Sequence, residues 1–269
     1  MGGFVSGSTV ETLFALTPLD EDTFTVTAPS IGRERLFGGQ VAGQSLRAAC
    51  LTVGAERPAH SLHAYFIRPG VPDEPVLFQV ARVRDGRTFS TRHVTAAQGG
   101  KPIFELIASF HDPEPGRDWS PPAPPGVPPP DELEPMGLPS LFRHPHGFDI
   151  RLVAPPRPDG FPITHPFWVR FEEPLGDDPG LHAALIAYVS DMAVVSSIIA
   201  PGSRGRLGTA VSLDHAMWFH RPARADRWLL YSVDPVTNSG ARGLGLGTMR
   251  TEDGVLVASI AQEALLRPA

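Results

Sequence analysis

Two stretches of this chain can be laid on each other without a gap over about fifty residues, and no other feature restricts the fold so strongly. Phe66-Ile67-Arg68-Pro69 falls on Phe219-His220-Arg221-Pro222, the turn Asp85-Gly86 on Asn238-Ser239, and Ile103-Phe104 on Leu256-Val257. Shared turn positions arise by chance less readily than shared hydrophobicity, so the spacing predicts one fold used twice.

Each copy reads as a helix followed by an antiparallel meander. In the first, a short alternating strand covers Thr23 to Thr27, and Gly38-Gly39-Gln40 opens a helix of about four turns. Strand-like runs follow at His60 to Arg68, Val76 to Arg84, Thr88 to Ala97 and Ile103 to Phe110, with turns at Asp85-Gly86 and Gly99-Gly100. A single helix is covered only if such a sheet curls around it. The second copy offers Phe148 to Val153, Pro166 to Phe171, an apolar helix, and runs at Thr209 to His220, Trp228 to Asp234, Gly243 to Thr251 and Val255 to Leu265. From Asp112 to Pro139 prolines dominate; they cannot supply ladder hydrogen bonds, so the segment is an extended connection. The expected organisation is α+β: a first unit at 1–112, a proline-rich linker at 113–147, and a second unit at 148–269.

A formal charge of −6 and the lack of any block of like charges argue against a nucleic-acid partner. Cys50 is the sole cysteine, which excludes an internal disulfide and fits a reducing compartment. The first residues lack a signal-peptide pattern and no apolar run approaches a membrane span, so the expectation is a cytoplasmic protein without membrane contact.

One acid stands out. The segment from Leu181 to Ile199 is hydrophobic nearly all round at helical spacing, with Asp191 in line with Ala184, Ala187, Tyr188, Val195 and Ile198. Burying an ion costs several kcal/mol, so such an aspartate is paired, hydrogen-bonded, protonated or chemically active. The repeat places Asp191 on Gly38, so the fold does not demand the acid. Gln262 falls on Ser109 and shares a strand face with Leu256, Ala258, Ile260 and Ala264; facing the core, it must be hydrogen-bonded. Gly38 and Gly39 leave backbone uncovered, either for close packing or to offer bare N–H groups to a ligand. Gly39 and Gly43 form a small-residue pair read as packing. Strand alternation does not choose among Ser212, Asp214 and His215, and no Gly-x-Ser-x-Gly elbow supports a nucleophilic triad. His60 with His63, or His215 with His220, completes no metal site.

Four motifs in order resemble the acyl-CoA thioesterase II family. They are Leu36-Phe37-Gly38-Gly39-Gln40-Val41-Ala42-Gly43-Gln44, Ser61-Leu62-His63-Ala64-Tyr65-Phe66-Ile67-Arg68-Pro69-Gly70, Leu213-Asp214-His215-Ala216-Met217-Trp218-Phe219-His220-Arg221-Pro222, and Asp253-Gly254-Val255-Leu256-Val257-Ala258-Ser259 leading to Gln262-Glu263. The resemblance implies a double hotdog, two tandem copies of a long helix wrapped by an antiparallel sheet. It also implies a catalytic Asp, Ser or Thr, and Gln that hold a water, matching Asp191, Ser212 and Gln262. Gly38, Gly39 and Gln40 then become candidates for polarising the substrate carbonyl. The implied activity is hydrolysis of acyl-CoA to free acid and CoA, with no cofactor or metal, in a homo-oligomer of two or more chains. Arg68, Arg82, Arg84, Arg221 and Arg242 either meet CoA phosphates or are solvated. Two other readings are a non-hydrolytic acyl-CoA sensor and a hotdog enoyl-CoA hydratase; the latter needs an Asp/His pair at a helix start, and no histidine lies near Asp191 in sequence.

Overall fold

A computed structural model describes residues 13–27, 34–136, 147–155, 163–199 and 207–269. The chain's first residues and positions 137–146 of the expected linker lie outside them. The first half contains β1 (Thr17–Pro18), β2 (Thr23–Thr27), helix α1 (Gly38–Cys50), β3 (Ala59–Phe66), β4 (Pro75–Asp85), β5 (Phe89–Gln98) and β6 (Lys101–His111). The second contains β7 (Phe148–Leu152), β8 (Phe167–Phe171), helices α2 (Pro179–Ser190) and α3 (Val194–Ile198), β9 (Leu207–Ser212), β10 (Asp214–Phe219), β11 (Leu229–Ser239), β12 (Arg242–Thr251) and β13 (Leu256–Pro268).

Among the described residues the strands form one antiparallel sheet in the order β1-β2-β4-β5-β6-β3-β10-β13-β12-β11-β8-β7, with β9 also on β13. The order mirrors itself about the β3–β10 pair, where Tyr65 faces Asp214 and Ser61 faces Trp218. The hairpin at Gly99-Gly100 has positive φ at both residues, the geometry that two glycines make inexpensive. The turn between β11 and β12, laid by the sequence on the Asp85-Gly86 turn between β4 and β5, falls at Gly240-Ala241 and not at Asn238-Ser239, which lie within β11.

Helices α1 and α2 pack antiparallel inside the curled sheet. A β-carbon on Gly43 would lie 2.6 Å from the Ala184 carbonyl oxygen, and one on Gly180 would lie 2.9 Å from Cys50 Cβ. The small residues therefore serve helix-to-helix approach. Helix α2 begins with Pro179, and the Asp178 carboxylate accepts the free amides of Gly180 and Leu181 at 2.9 and 3.2 Å.

Two expectations need correction here. Leu181 to Ile199 is not one helix: α2 ends at Ser190, Asp191 is its C-cap, and Ala193 takes a left-handed conformation (φ 59°) before α3. The segment Pro179–Ile198 is also long and apolar enough to cross a membrane by length and composition, yet it is mostly buried within the protein as core.

The gapless overlay expected from the sequence fails in two places. Helix α1 starts at Gly38, whereas Asp191 ends α2, so the helices are offset differently from the strands. In the last strand the register slips by one: Leu62 faces Ala108, while the Ala216–Ala261 pair puts His215 against Gln262. Gln262 thus corresponds to the inward Ala108 and not to Ser109, since a slip of one residue reverses every side chain.

The proline-rich segment forms a strap on the outside of the second half. Trp168 Nε1 donates to Pro128 O at 2.9 Å, Arg250 to Pro121 O at 3.1 Å, and Arg151 to Pro130 O at 2.9 Å. Under it Trp168, Trp228 and Leu230 form a small apolar cluster with Val127, Leu133 and Val153, separate from the main core.

Candidate active site

The break after α2 sets the site. By ending the helix at Ser190, the chain turns the Asp191 carboxylate towards the N-terminus of α1, where Gly38 has no side chain to obstruct it; a β-carbon there would lie 2.8 Å from Asp191 Oδ2. The Gly39 amide donates to the carboxylate. A carboxylate at a helix N-terminus meets the positive end of the helix dipole.

Two strands deliver the remaining groups. β9 and β10 both pair with β13, and the chain bends between them at Leu213. Asp214 makes the bend possible by accepting the Glu263 amide at 2.7 Å in place of a ladder carbonyl. The single run expected from Thr209 to His220 is therefore two strands, and Ser212 and His215 flank the bend on the side of Asp191. Gln262 Nε2 donates to Asp191 Oδ1 at 3.0 Å and to Ser212 Oγ at 2.8 Å, and Ser212 Oγ donates to Asp191 Oδ1 at 3.4 Å. Asp191, Ser212 and Gln262, 71 residues apart at the extremes, thus meet at one carboxylate oxygen.

Burial drives the Asp191 pKa upward from its ordinary value, opposed by the field of His215 and by hydrogen bonds from Gln262, Gly39 and Ser212. Among the described residues no arginine or lysine pairs with it. The three candidate amides differ: Gly39 is committed to Asp191, and Gln40 donates to Phe37 O at 3.1 Å. The Gln40 amide is thereby engaged within its own helix.

Sequence reasoning missed His215 as part of this network. It is buried; its Nδ1 lies 2.5 Å from Gln262 Oε1 and its Nε2 2.7 Å from Ser190 Oγ. Burial lowers its pKa, opposed by Asp191 and Gln262. The expectation that no histidine lies near Asp191 holds along the chain but not in space, where His215 is linked to the acid through Gln262. Strand parity carried a signal: His215 and Met217 share the inward face of β10. Among the arginines considered for CoA, Arg82 is paired with Asp22 and Glu21, Arg221 with Asp118, and Arg242 with Glu263, while Arg68 donates to Pro102 O.

The chain is similar to known proteins over nearly its whole length. Residues 25–111 match the family model of the acyl-CoA thioesterase N-terminal domain, and residues 159–265 match that of acyl-CoA thioesterase. Acyl-coenzyme A thioesterase 8 of Homo sapiens is 38% identical over 96% of this chain and 88% of its own length. Acyl-CoA thioesterase 2 of Haemophilus influenzae is 30% identical over 95% of this chain and 96% of its own. The crystal structure of an acyl-CoA thioesterase II from Mycobacterium marinum superposes with a TM-score of 0.81 at 38% identity, covering 97% of this chain and 98% of that one. A hot dog fold protein from Alicyclobacillus acidocaldarius, at 20% identity and a TM-score of 0.76, shares the fold. With both halves matched in order and nearly the whole length covered, this chain belongs to the acyl-CoA thioesterase II family.

Proposed function

We propose that this chain hydrolyses acyl-CoA thioesters to free acid and CoA by direct attack of a water activated at Asp191. The convergence of Gln262 Nε2 and Ser212 Oγ on Asp191 Oδ1 carries the reading. A thioester carbonyl yields to water when a base takes the water's proton and donors meet the developing oxyanion. Asp191, with its pKa raised by burial, is the base. Ser212 and Gln262 hold the carboxylate and the water in line. With Gly39 and Gln40 engaged, Gly38 at the start of α1 is the amide we assign to the oxyanion. The proton taken by Asp191 passes to the departing CoA thiolate, which restores the carboxylate.

This reading includes the finer architecture: tandem copies of one hotdog unit, the first ending near residue 112 and the second beginning near 148, with the strap between them. The mirrored strand order supports it. We also propose a cytoplasmic homo-oligomer associating through the outer sheet face, where Tyr65, Ile107, Trp218 and Leu246 are exposed.

The test is release of free CoA thiol from acyl-CoAs of several chain lengths by the wild type and Asp191→Asn. Thiol release abolished in the folded variant supports the proposal. Binding without thiol release in the wild type would leave an acyl-CoA sensor, and conversion of an enoyl-CoA without thiol release would leave a hydratase. Labelled oxygen from water appearing in the Asp191 carboxylate during a single turnover would replace direct water attack by an acyl-anhydride route.

A further inference from the structure

Gln262 is useful to Asp191 only in one of its two amide orientations. With Nε2 towards the site, its two protons serve Asp191 Oδ1 and Ser212 Oγ. With the amide reversed, Oε1 would face a carboxylate oxygen at the same 3.0 Å, a contact that requires a proton on Asp191. The side chain alone does not distinguish these orientations. Its remaining neighbour supplies the means: His215 Nδ1 lies 2.5 Å from the outer amide atom, and a proton on that nitrogen admits only an amide oxygen there.

We propose that His215 is a positioning residue that fixes the Gln262 amide, through an Nδ1–H tautomer, in the orientation that leaves Asp191 ionised and ready to accept a proton. The inference rests on the assignment of Asp191 as the base. The proton count closes. An amide oxygen only accepts, so Nδ1 carries the hydrogen. Burial favours the neutral ring, so Nε2 is bare and takes the Ser190 hydroxyl proton across 2.7 Å, in place of that proton's bond to Ala187 O at 2.8 Å. Ser190 is itself anchored, for Tyr231 Oη donates to its carbonyl oxygen at 2.5 Å. Since Ser190 directly precedes Asp191, the bonds form a closed ring from Asp191 through Gln262, His215 and Ser190 back to Asp191. In the first half the matching inward pair is Leu62 and Ala108, so the fold is built as well with apolar groups at these positions. The reversed arrangement is equally explicit: Gln262 Nε2 would donate to Nδ1, and Nε2–H would donate to Ser190 Oγ, whose own proton would go to Ala187 O at 2.8 Å. That ring needs a protonated Asp191, which is no base.

Substitution separates the two nitrogens. The amide nitrogen of asparagine occupies the place of Nδ1, and that of glutamine the place of Nε2. His215→Asn should keep kcat within about threefold of wild type. His215→Gln and His215→Leu should lower kcat by about 100-fold, with KM changed less than about threefold, the loss expected from a small misplacement of a reacting group. Equal losses in the Asn and Gln variants, or near-normal kcat in His215→Leu, would overturn the proposal. Asp191→Asn, run alongside, separates the readings: if it is inactive while His215→Leu is normal, only the role of His215 falls; if it turns over normally, the assignment of the base falls. Nitrogen NMR of the wild-type ring, identified by its absence from whichever His215 variant folds, gives a readout independent of activity. The proposal expects Nδ1 protonated and Nε2 bare at neutral pH; the opposite tautomer, or an imidazolium, overturns it.

Discussion

A β-carbon on Gly39 would lie 2.3 Å from the carbonyl oxygen of Tyr188. That separation is below any real carbon–oxygen contact, and the obstacle is backbone, which cannot rotate away. Gly39→Ala should therefore push α1 from α2, costing about 1–3 kcal/mol in stability. It should also lower turnover, because the same residue's amide holds Asp191. Gly43→Ala, whose β-carbon would meet Ala184 O at 2.6 Å, should cost similar stability while reducing kcat less. Denaturant melts with parallel turnover assays check both; unchanged stability in either variant would contradict the packing.

The raised pKa of Asp191 fixes two pH dependences. As the base it must be ionised, so kcat/KM should fall as pH drops through a midpoint above the ordinary carboxylate range. For stability the sign is opposite to that of a salt-bridged acid. A carboxyl with a folded pKa above its unfolded value binds its proton more tightly when folded, so its ionisation weakens the fold at neutral pH. Whatever the offset between Asp191→Asn and wild type at pH 7, the Tm difference should move in favour of the wild type as pH falls through that range. A flat difference would show that Asp191 has an ordinary pKa.

Ser212 lies further from Asp191 Oδ1 than Gln262 does, 3.4 Å against 3.0 Å, so their losses should be graded. Ser212→Ala should reduce kcat by about 10-fold to 100-fold and Gln262→Ala by more, approaching Asp191→Asn, because general-base geometry contributes about 10²–10⁴. Losses in the double variant smaller than the product of the single ones would show that the two act as a unit.

Asp226 supplies the acid limb of stability. Hydrogen bonds from Arg224 and the amide of Leu175 hold its pKa down to about 2. A folded pKa below the unfolded one stabilises above the ordinary carboxylate range, and that contribution is lost as pH falls from about 4 through about 2. Asp226→Asn should thus melt lower than wild type at pH 5, with the gap closing towards pH 2.

Cys50 should be inert. Burial pushes its thiol up to about 12, despite the nearby Arg47. Iodoacetamide at pH 8 should modify the denatured chain quickly and the folded chain slowly, a single-site readout because the sequence holds one cysteine.

The strands were legible because a period of two and paired turns survive without knowledge of partners: the strand expected around Thr23 to Thr27 is β2, and β4, β5 and β6 lie within one or two residues of their expected bounds. The fate of Asp191 was not legible. Hydrophobic periodicity runs through Ser190 and Ala193 alike, and nothing in it reveals a left-handed residue that ends a helix. The break at Leu213 was hidden likewise, since it depends on a contact between Asp214 and a strand far along the chain. Ser212 and Gln262 were assigned by resemblance, and the structure brings both to Asp191. His215 escaped because its role is set by a neighbour across the ladder, and its nearest candidates in sequence completed no motif.

The antiparallel helix pair has a second end, and its chemistry bears on how many reactions one chain can run. There the start of α2 meets the end of α1, as the start of α1 meets the end of α2 at Asp191. The carboxylate present, Asp178, caps its own helix and is bound to Arg47 at 2.7 Å. An acid held by a cation and two amides is a fastener. On the proposed assignment of Asp191, a tight-binding thioester analogue should therefore titrate the chain at one equivalent rather than two.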